Sequence, residues 1–143
     1  MIRFAKESDI DNIVSMIDDD CKEMEFPFNR QYVADQISAM VSNQCLLFVH
    51  EKGGVIGALL AQNMFDPEIY EMRVFLWYAS IELTNLSRAR VMIQLLDHLL
   101  SITAEKRLDV HVSLPNRGKG ASMKDILEVR KFNAEETYYI MRG

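Results

Sequence analysis

No stretch of this 143-residue chain approaches the ~20 consecutive apolar residues that a membrane-crossing helix needs. The opening segment, MIRFAKESDID, lacks the basic-then-apolar layout of a secretory signal, so the expected location is the cytoplasm, with no membrane partner. Cysteine is scarce. Cys21 and Cys45 form no CxxC pair and stand beside no histidine cluster, which leaves two reduced, partly buried apolar residues rather than a disulfide framework. His50, His98 and His111 lie in separate segments without ligand spacing, so no metal is expected. Basic charge is also in deficit: Lys and Arg number 16 against 21 Asp and Glu, a net charge of -5, whereas a nucleic-acid surface shows a basic excess or stripe. Repeats and low-complexity tracts are missing too. With 49% hydrophobic and 26% charged residues, the composition is that of one ordinary globular domain, expected to span 1–143.

What is present is periodicity. Ile2 to Ala5 reads as a short opening strand. Ser8, followed by acidic Asp9 and Asp11, marks a helix start, and Ile10, Ile13, Val14 and Ile17 recur at helical spacing until the run Asp18-Asp19-Asp20 ends the pattern. After a loop at Pro27, a second helix is expected over Gln31–Ser42, with Val33, Ile37, Met40 and Val41 on one face. Cys45–Val49, the turn Lys52-Gly53-Gly54 and Val55–Ala61 form a hairpin. Asp66-Pro67 breaks the chain, and Ile69–Ala79 is a central strand rich in β-branched and aromatic residues. The longest helix is expected over about Ser87–Lys106, then a strand over Leu108–Leu114, a short helix over Ala121–Lys131 and a closing strand over Glu136–Met141. The order β-α-α-β-β-β-α-β-α-β predicts an α/β (α+β) fold. Its sheet is mixed and mostly antiparallel, with one right-handed parallel crossover and helices on both faces.

This order, together with particular wording, resembles the GCN5-related N-acetyltransferase superfamily along nearly the whole chain. IRFAKESDIDNIVSMI is similar to that family's first strand and helix, and LLFVHEKGGVIGALLA to its second and third strands. VFLWYAS followed by SRARVMIQLLDHLL resembles the strand and helix that grip coenzyme A, and ILEVRKFNAEETYYIM the short helix and last strand. Within the family, the closest likeness is to small acetyltransferase-like proteins of bacteriophages and their hosts, which would place the chain in a host cytoplasm. The resemblance implies transfer of an acetyl group from acetyl-CoA to a small-molecule or protein amine, and a homodimer formed at a sheet edge as the assembly to look for. The alternative is a catalytically degenerate descendant of the fold, kept as a binding or assembly module.

On that resemblance the cofactor would lie along Tyr78 and Ala79 at the strand end. It would continue over Ser87, Arg88, Ala89, Arg90, Val91 and Met92 at the start of the long helix, where free N–H groups and two arginines favour a diphosphate. Asn116 would contact the cofactor arm. The family's small-residue loop falls on Ser87, Arg90 and Met92 with no glycine, its general-acid tyrosine on Leu127, and the glycine before Phe132 on Lys131. Acetyl transfer needs a neutral amine, a polarised carbonyl and an acid for the departing thiol. Glu71 is the candidate base and Tyr138, with its neighbour Tyr139, the candidate hydroxyl; each also reads as an ordinary strand residue, solvent-facing for Glu71 and packing for the tyrosines. Trp77 and Tyr78 are candidates for the acyl pocket, although alternation sends at least one into the core. The acidic run Asp18–Asp20 with Glu23 and Glu25 reads either as an attractor of a cationic amine or as a solvated helix end. Arg117-Gly118-Lys119-Gly120 matches neither a P-loop nor GxGxxG spacing and reads as a connection.

Overall fold

A computed structural model describes residues 1–103, 108–114, 120–134 and 141. Five strands form one sheet in chain order: β1 (Ile2–Phe4), β2 (Leu46–His50), β3 (Gly54–Gln62), β4 (Tyr70–Ala79) and β5 (Leu108–Val112). The first three pairings are antiparallel, and β4 pairs with β5 in parallel. A parallel neighbour requires a long crossover, and α3 (Asn85–Thr103) supplies it. α1 (Ile10–Met24) follows a short 3-10 turn at Glu7–Asp9, α2 (Arg30–Ser42) precedes β2, and α4 (Gly120–Val129) follows β5. The expected mixed, mostly antiparallel sheet is therefore observed. The chain divides into two compact units, Met1–Ser113 with the sheet and Leu114–Gly143 with α4. In the second unit α4 ends where Phe132 and Arg130 donate their N–H groups to the Leu127 carbonyl, with Lys131 at φ 67°. The closing strand expected over Glu136–Met141 lies outside the described residues, apart from Met141.

Strand alternation sends one set of side chains to each face. Leu47 and Val49 of β2, Val55 of β3, and Leu76 and Tyr78 of β4 pack against Ile13 of α1 and Ile37 of α2. Their neighbours face α3: Phe48 meets His98 edge-on at 4.8 Å, and Trp77 donates its Nε1–H to the Met92 carbonyl at 2.9 Å. α3 lies so close to the sheet that a Cβ at Gly54 would stand 2.5 Å from Val91 Cγ1. Val91, Leu95, Leu96 and Leu99 are accordingly sealed. Helices cover both faces, as the alternating pattern requires. His50, the one buried polar side chain among the described residues, also joins the sheet to α3: Nδ1 accepts the Lys52 N–H at 3.1 Å and Nε2 meets Gln94 Oε1 at 2.6 Å. Among the described residues no helix is long and apolar enough to cross a membrane.

α1 departs from expectation. It runs through the acidic segment Asp18–Asp20 to Met24 instead of ending there. The charge is balanced along the helix and from outside it: Asp18 is 3.6 Å from Lys22 one turn on and 3.5 Å from Arg30 of α2, while Glu23 meets Arg88 of α3. The helix stops at Glu25, which takes left-handed angles (φ 57°, ψ 37°) so that Phe26 N–H can reach the Cys21 carbonyl.

Candidate active site

The β4–β5 ladder ends before β4 does. Parallel pairing runs from Tyr70 opposite Leu108 to Val74 opposite Val112, whereas β4 continues to Ala79 against β3. The divergence coincides with a bulge. Gly57 pairs with Leu76 and Ala58 with Val74, so Phe75 has no counterpart on β3. An extra residue bends its strand and increases the local twist, which turns β4 away from a neighbour that follows the regular path. Among the described residues, the β5 side of Phe75–Ala79 has no strand partner, which leaves an edge that no strand fills, with the Ala79 carbonyl taken by Arg88 Nε.

That edge leads into the start of α3 through a short turn. Ser80 N–H donates to the Gly53 carbonyl at 2.9 Å, and Ser80 Oγ accepts the Glu82 N–H at 3.2 Å. Thr84 then caps the helix: its Oγ1 accepts the Ser87 N–H at 3.2 Å and its carbonyl the Arg88 N–H at 2.8 Å. The helix consequently begins at Asn85, two residues earlier than the expected Ser87. The reason is the cap, a signal present in the sequence as a threonine three residues before Ser87. Helical geometry leaves the Asn85 and Leu86 amides as the donors at this end without a helical or cap partner.

Ser87 to Met92 therefore lie within the first two turns of α3. The Ser87 amide is capped, and those of Ala89, Arg90, Val91 and Met92 fall within the helical ladder. Val91 is a core residue, Ala89 and Met92 are half-buried, and Arg90 is exposed. Arg88 turns back toward the sheet. Its Nε donates to the Ala79 carbonyl at 2.9 Å, one Nη lies 3.4 Å from Glu23 Oε1, and its guanidinium stands 5.1 Å over the Tyr78 ring. Tyr78 is buried on the α1 side with its hydroxyl 3.3 Å from Glu23 Oε1, while Trp77 faces α3, so both aromatics pack.

The electrostatics divide this region. Burial, reinforced by Glu23 and opposed by Arg88, pushes the Asp20 carboxyl up to about 6. Burial, then Glu23, also pushes the Tyr78 hydroxyl up, holding it protonated. Glu71 behaves oppositely. Arg73 at 2.9 Å and Asn63 at 2.8 Å hold its carboxyl below the usual carboxylate range. It sits four residues before the bulge on β4, about 13 Å along the strand at ~3.3 Å per residue. Asn116 and Tyr138 lie outside the described residues. Sequence reasoning missed the bulge at Phe75, the Thr84 cap and the inward course of Arg88.

No protein-family model matches the chain, and no curated protein matches it in sequence. Solved structures do match. A predicted acetyltransferase of Clostridium acetobutylicum, solved with acetyl-CoA, superposes with a TM-score of 0.74 at 12% identity, covering 99% of this chain and 95% of that one. The ribosomal-protein-alanine N-acetyltransferase of Brucella melitensis biovar Abortus 2308 gives 0.71 at 11% identity over 100% and 98% of the two chains. An acetyltransferase of Trypanosoma brucei gives 0.70 at 12% identity over 99% and 98%. At such identities the likeness is one of fold: the chain has the mixed α/β fold of these acetyltransferases.

Proposed function

We propose that this chain, built on an acetyltransferase fold, binds acetyl-CoA along the open edge of β4 and transfers the acetyl group to an amine. The observation that carries the reading is the ladder ending at Val74 while β4 continues to Ala79, directly toward the N-terminus of α3. An extended pantetheine arm has amide groups that suit an unpaired strand edge, and Phe75–Ala79 supplies one. The Asn85 and Leu86 amides, with the positive end of the α3 dipole and exposed Arg90, suit a diphosphate. Arg88 is already bound to Ala79 and Glu23, so phosphate contact is assigned to Arg90.

Acetyl-CoA supplies an activated thioester: the amine nitrogen bonds to its carbonyl carbon, the carbon–sulfur bond breaks, and the proton lost by the amine ends on the thiolate. The bulge gives the protein an amide not committed to the ladder, a donor of the kind that steadies negative charge on the carbonyl oxygen. Glu71, held ionised but about 13 Å back along β4 from the bulge, would accept the amine proton through a relay of several ordered waters, and a Tyr138 hydroxyl would return a proton to sulfur. Asp20 and its acidic neighbours favour a cationic acceptor on the α1 side of the sheet.

A second reading has its own support. Arg90 and Met92 stand inside α3 where the family wording would have small residues, which favours a fold kept as a binding module. Calorimetry with acetyl-CoA separates the two. Micromolar binding weakened by Arg90→Ala supports the enzyme reading, and absence of heat at millimolar ligand leaves the binding module.

A further inference from the structure

Arg88 ties three elements together. It belongs to the first turn of α3, yet it donates back to Ala79, the last residue of β4, and reaches Glu23 near the C-terminus of α1. Tyr78 closes the circuit, since its ring lies under the guanidinium and its hydroxyl bonds the same Glu23 oxygen. The arginine side chain is only 14% exposed, so its charge-assisted bond to the Ala79 carbonyl is partly shielded from water, while its contact with Glu23 is more open. The peptide between Ala79 and Ser80 is thus held from both sides, its carbonyl by Arg88 and its N–H by the Gly53 carbonyl at 2.9 Å. At that peptide the open edge of β4 passes into the turn before α3.

We propose that Arg88 is a positioning residue: anchored by Glu23 and Tyr78, it fixes the Ala79–Ser80 peptide and couples the C-terminus of α1 to the turn at the head of α3. Its consequence for the cofactor rests on the acetyl-CoA reading above. A phosphate ligand would present its fork to the turn, whereas this one gives Nε to a main-chain carbonyl and Nη to a carboxylate. Displacing Glu23 therefore loosens the turn, and the wall formed by α1 and the head of α3 respond together.

Glu23→Gln assigns opposite signs to the two roles. If Arg88 holds the turn, the substitution weakens coenzyme A binding about tenfold, the worth of one charge-assisted contact. Arg88→Ala does the same, and the double variant adds little. If Arg88 is instead a phosphate ligand, Glu23→Gln frees it and tightens binding, which overturns the proposal. Amide hydrogen exchange over 80–87 without ligand reads the clamp independently of any cofactor. Glu23→Gln and Arg88→Lys are both expected to accelerate exchange there while leaving the β2 and α2 core unchanged. Faster exchange in a protein that binds no coenzyme A sustains the clamp and removes the cofactor reading. Unchanged exchange sinks the clamp, whatever coenzyme A does.

Discussion

The ring of Phe75 fills the space that a side chain at Gly57 would need: a Cβ there would stand 2.5 Å from Phe75 Cζ and 3.0 Å from Leu47 Cδ1. Phe75 is the extra residue at the register slip and Gly57 borders that slip on the partner strand, so the bulge that opens the β4 edge depends on a glycine on the neighbouring strand. Gly57→Ala is expected to cost about 1–3 kcal/mol as overpacking. Phe75 is 41% exposed and its ring tip can be removed, so Phe75→Ala in the same chain should recover part of the loss. Urea unfolding of the parent, both single variants and the double variant checks this. Strictly additive costs would show that the ring and the glycine do not compete for one space.

Thr84 carries a second, local prediction. Its hydroxyl satisfies an amide that the helix leaves unpaired, and Ala cannot replace it. Thr84→Ala should cost about 1 kcal/mol, or roughly 3 °C in melting temperature for a chain of this size, while Thr84→Ser retains most of the stability. Equal melting of all three proteins would remove the cap from the account of why α3 starts at Asn85.

Strands and helices were legible wherever the driving force was local. Alternating or continuous apolar runs marked β2 to β5, and the spacing of Met92, Leu95, Leu96, Leu99 and Ile102 marked α3, although Ile102 lies exposed in the last turn. Features that depend on partners distant in sequence were not. α1 continues through its acidic run because Arg30, 12 residues away from Asp18, and Arg88, 65 away from Glu23, neutralise it. The bulge was hidden for the same reason: nothing in VFLWYA indicates that Phe75 will lack a counterpart on β3. The candidate site, as proposed, is readable in the sequence as a region, at the junction of β4 and α3, but not in its contacts. Arg88 and Arg90 stand two apart on one helix and so point to different surroundings, one inward and one to solvent.

Asp20 predicts a pH trend. Its carboxyl is pushed up to about 6 in the folded protein, against ~3.9 for an unfolded chain. The folded state therefore holds the proton more tightly, and this group's contribution to stability falls as pH rises from about 4 through 6. Asp20→Asn has no charge to desolvate. It should be more stable than the parent above pH 6 by about 1 kcal/mol, less than the full worth of the shift because solvent reaches the carboxyl. The gap should close near pH 4. Melting curves across that range check the sign; a variant less stable than its parent at pH 7 would mean the charge is stabilising where it stands.

Glu71 is the place to test chemistry apart from binding. Arg73 and Asn63 hold it below the usual carboxylate range, so it stays in the ionised, proton-accepting form throughout neutral pH, as a weak base. Glu71→Gln keeps the shape but removes that capacity. On the proposed acetyl transfer it should lower kcat by about 100-fold, with acetyl-CoA binding unchanged, because the carboxylate sits well back from the free edge of β4. Arg73→Gln removes the largest influence on Glu71 and lets its pKa rise. The acid-side fall in kcat should then begin at higher pH than in the parent, since a base is lost once it is protonated. In Glu71→Gln that limb should vanish. A kcat profile that is indifferent to both substitutions would leave Glu71 with its structural role, bracing Asn63 and Arg73, and move the proton transfer elsewhere.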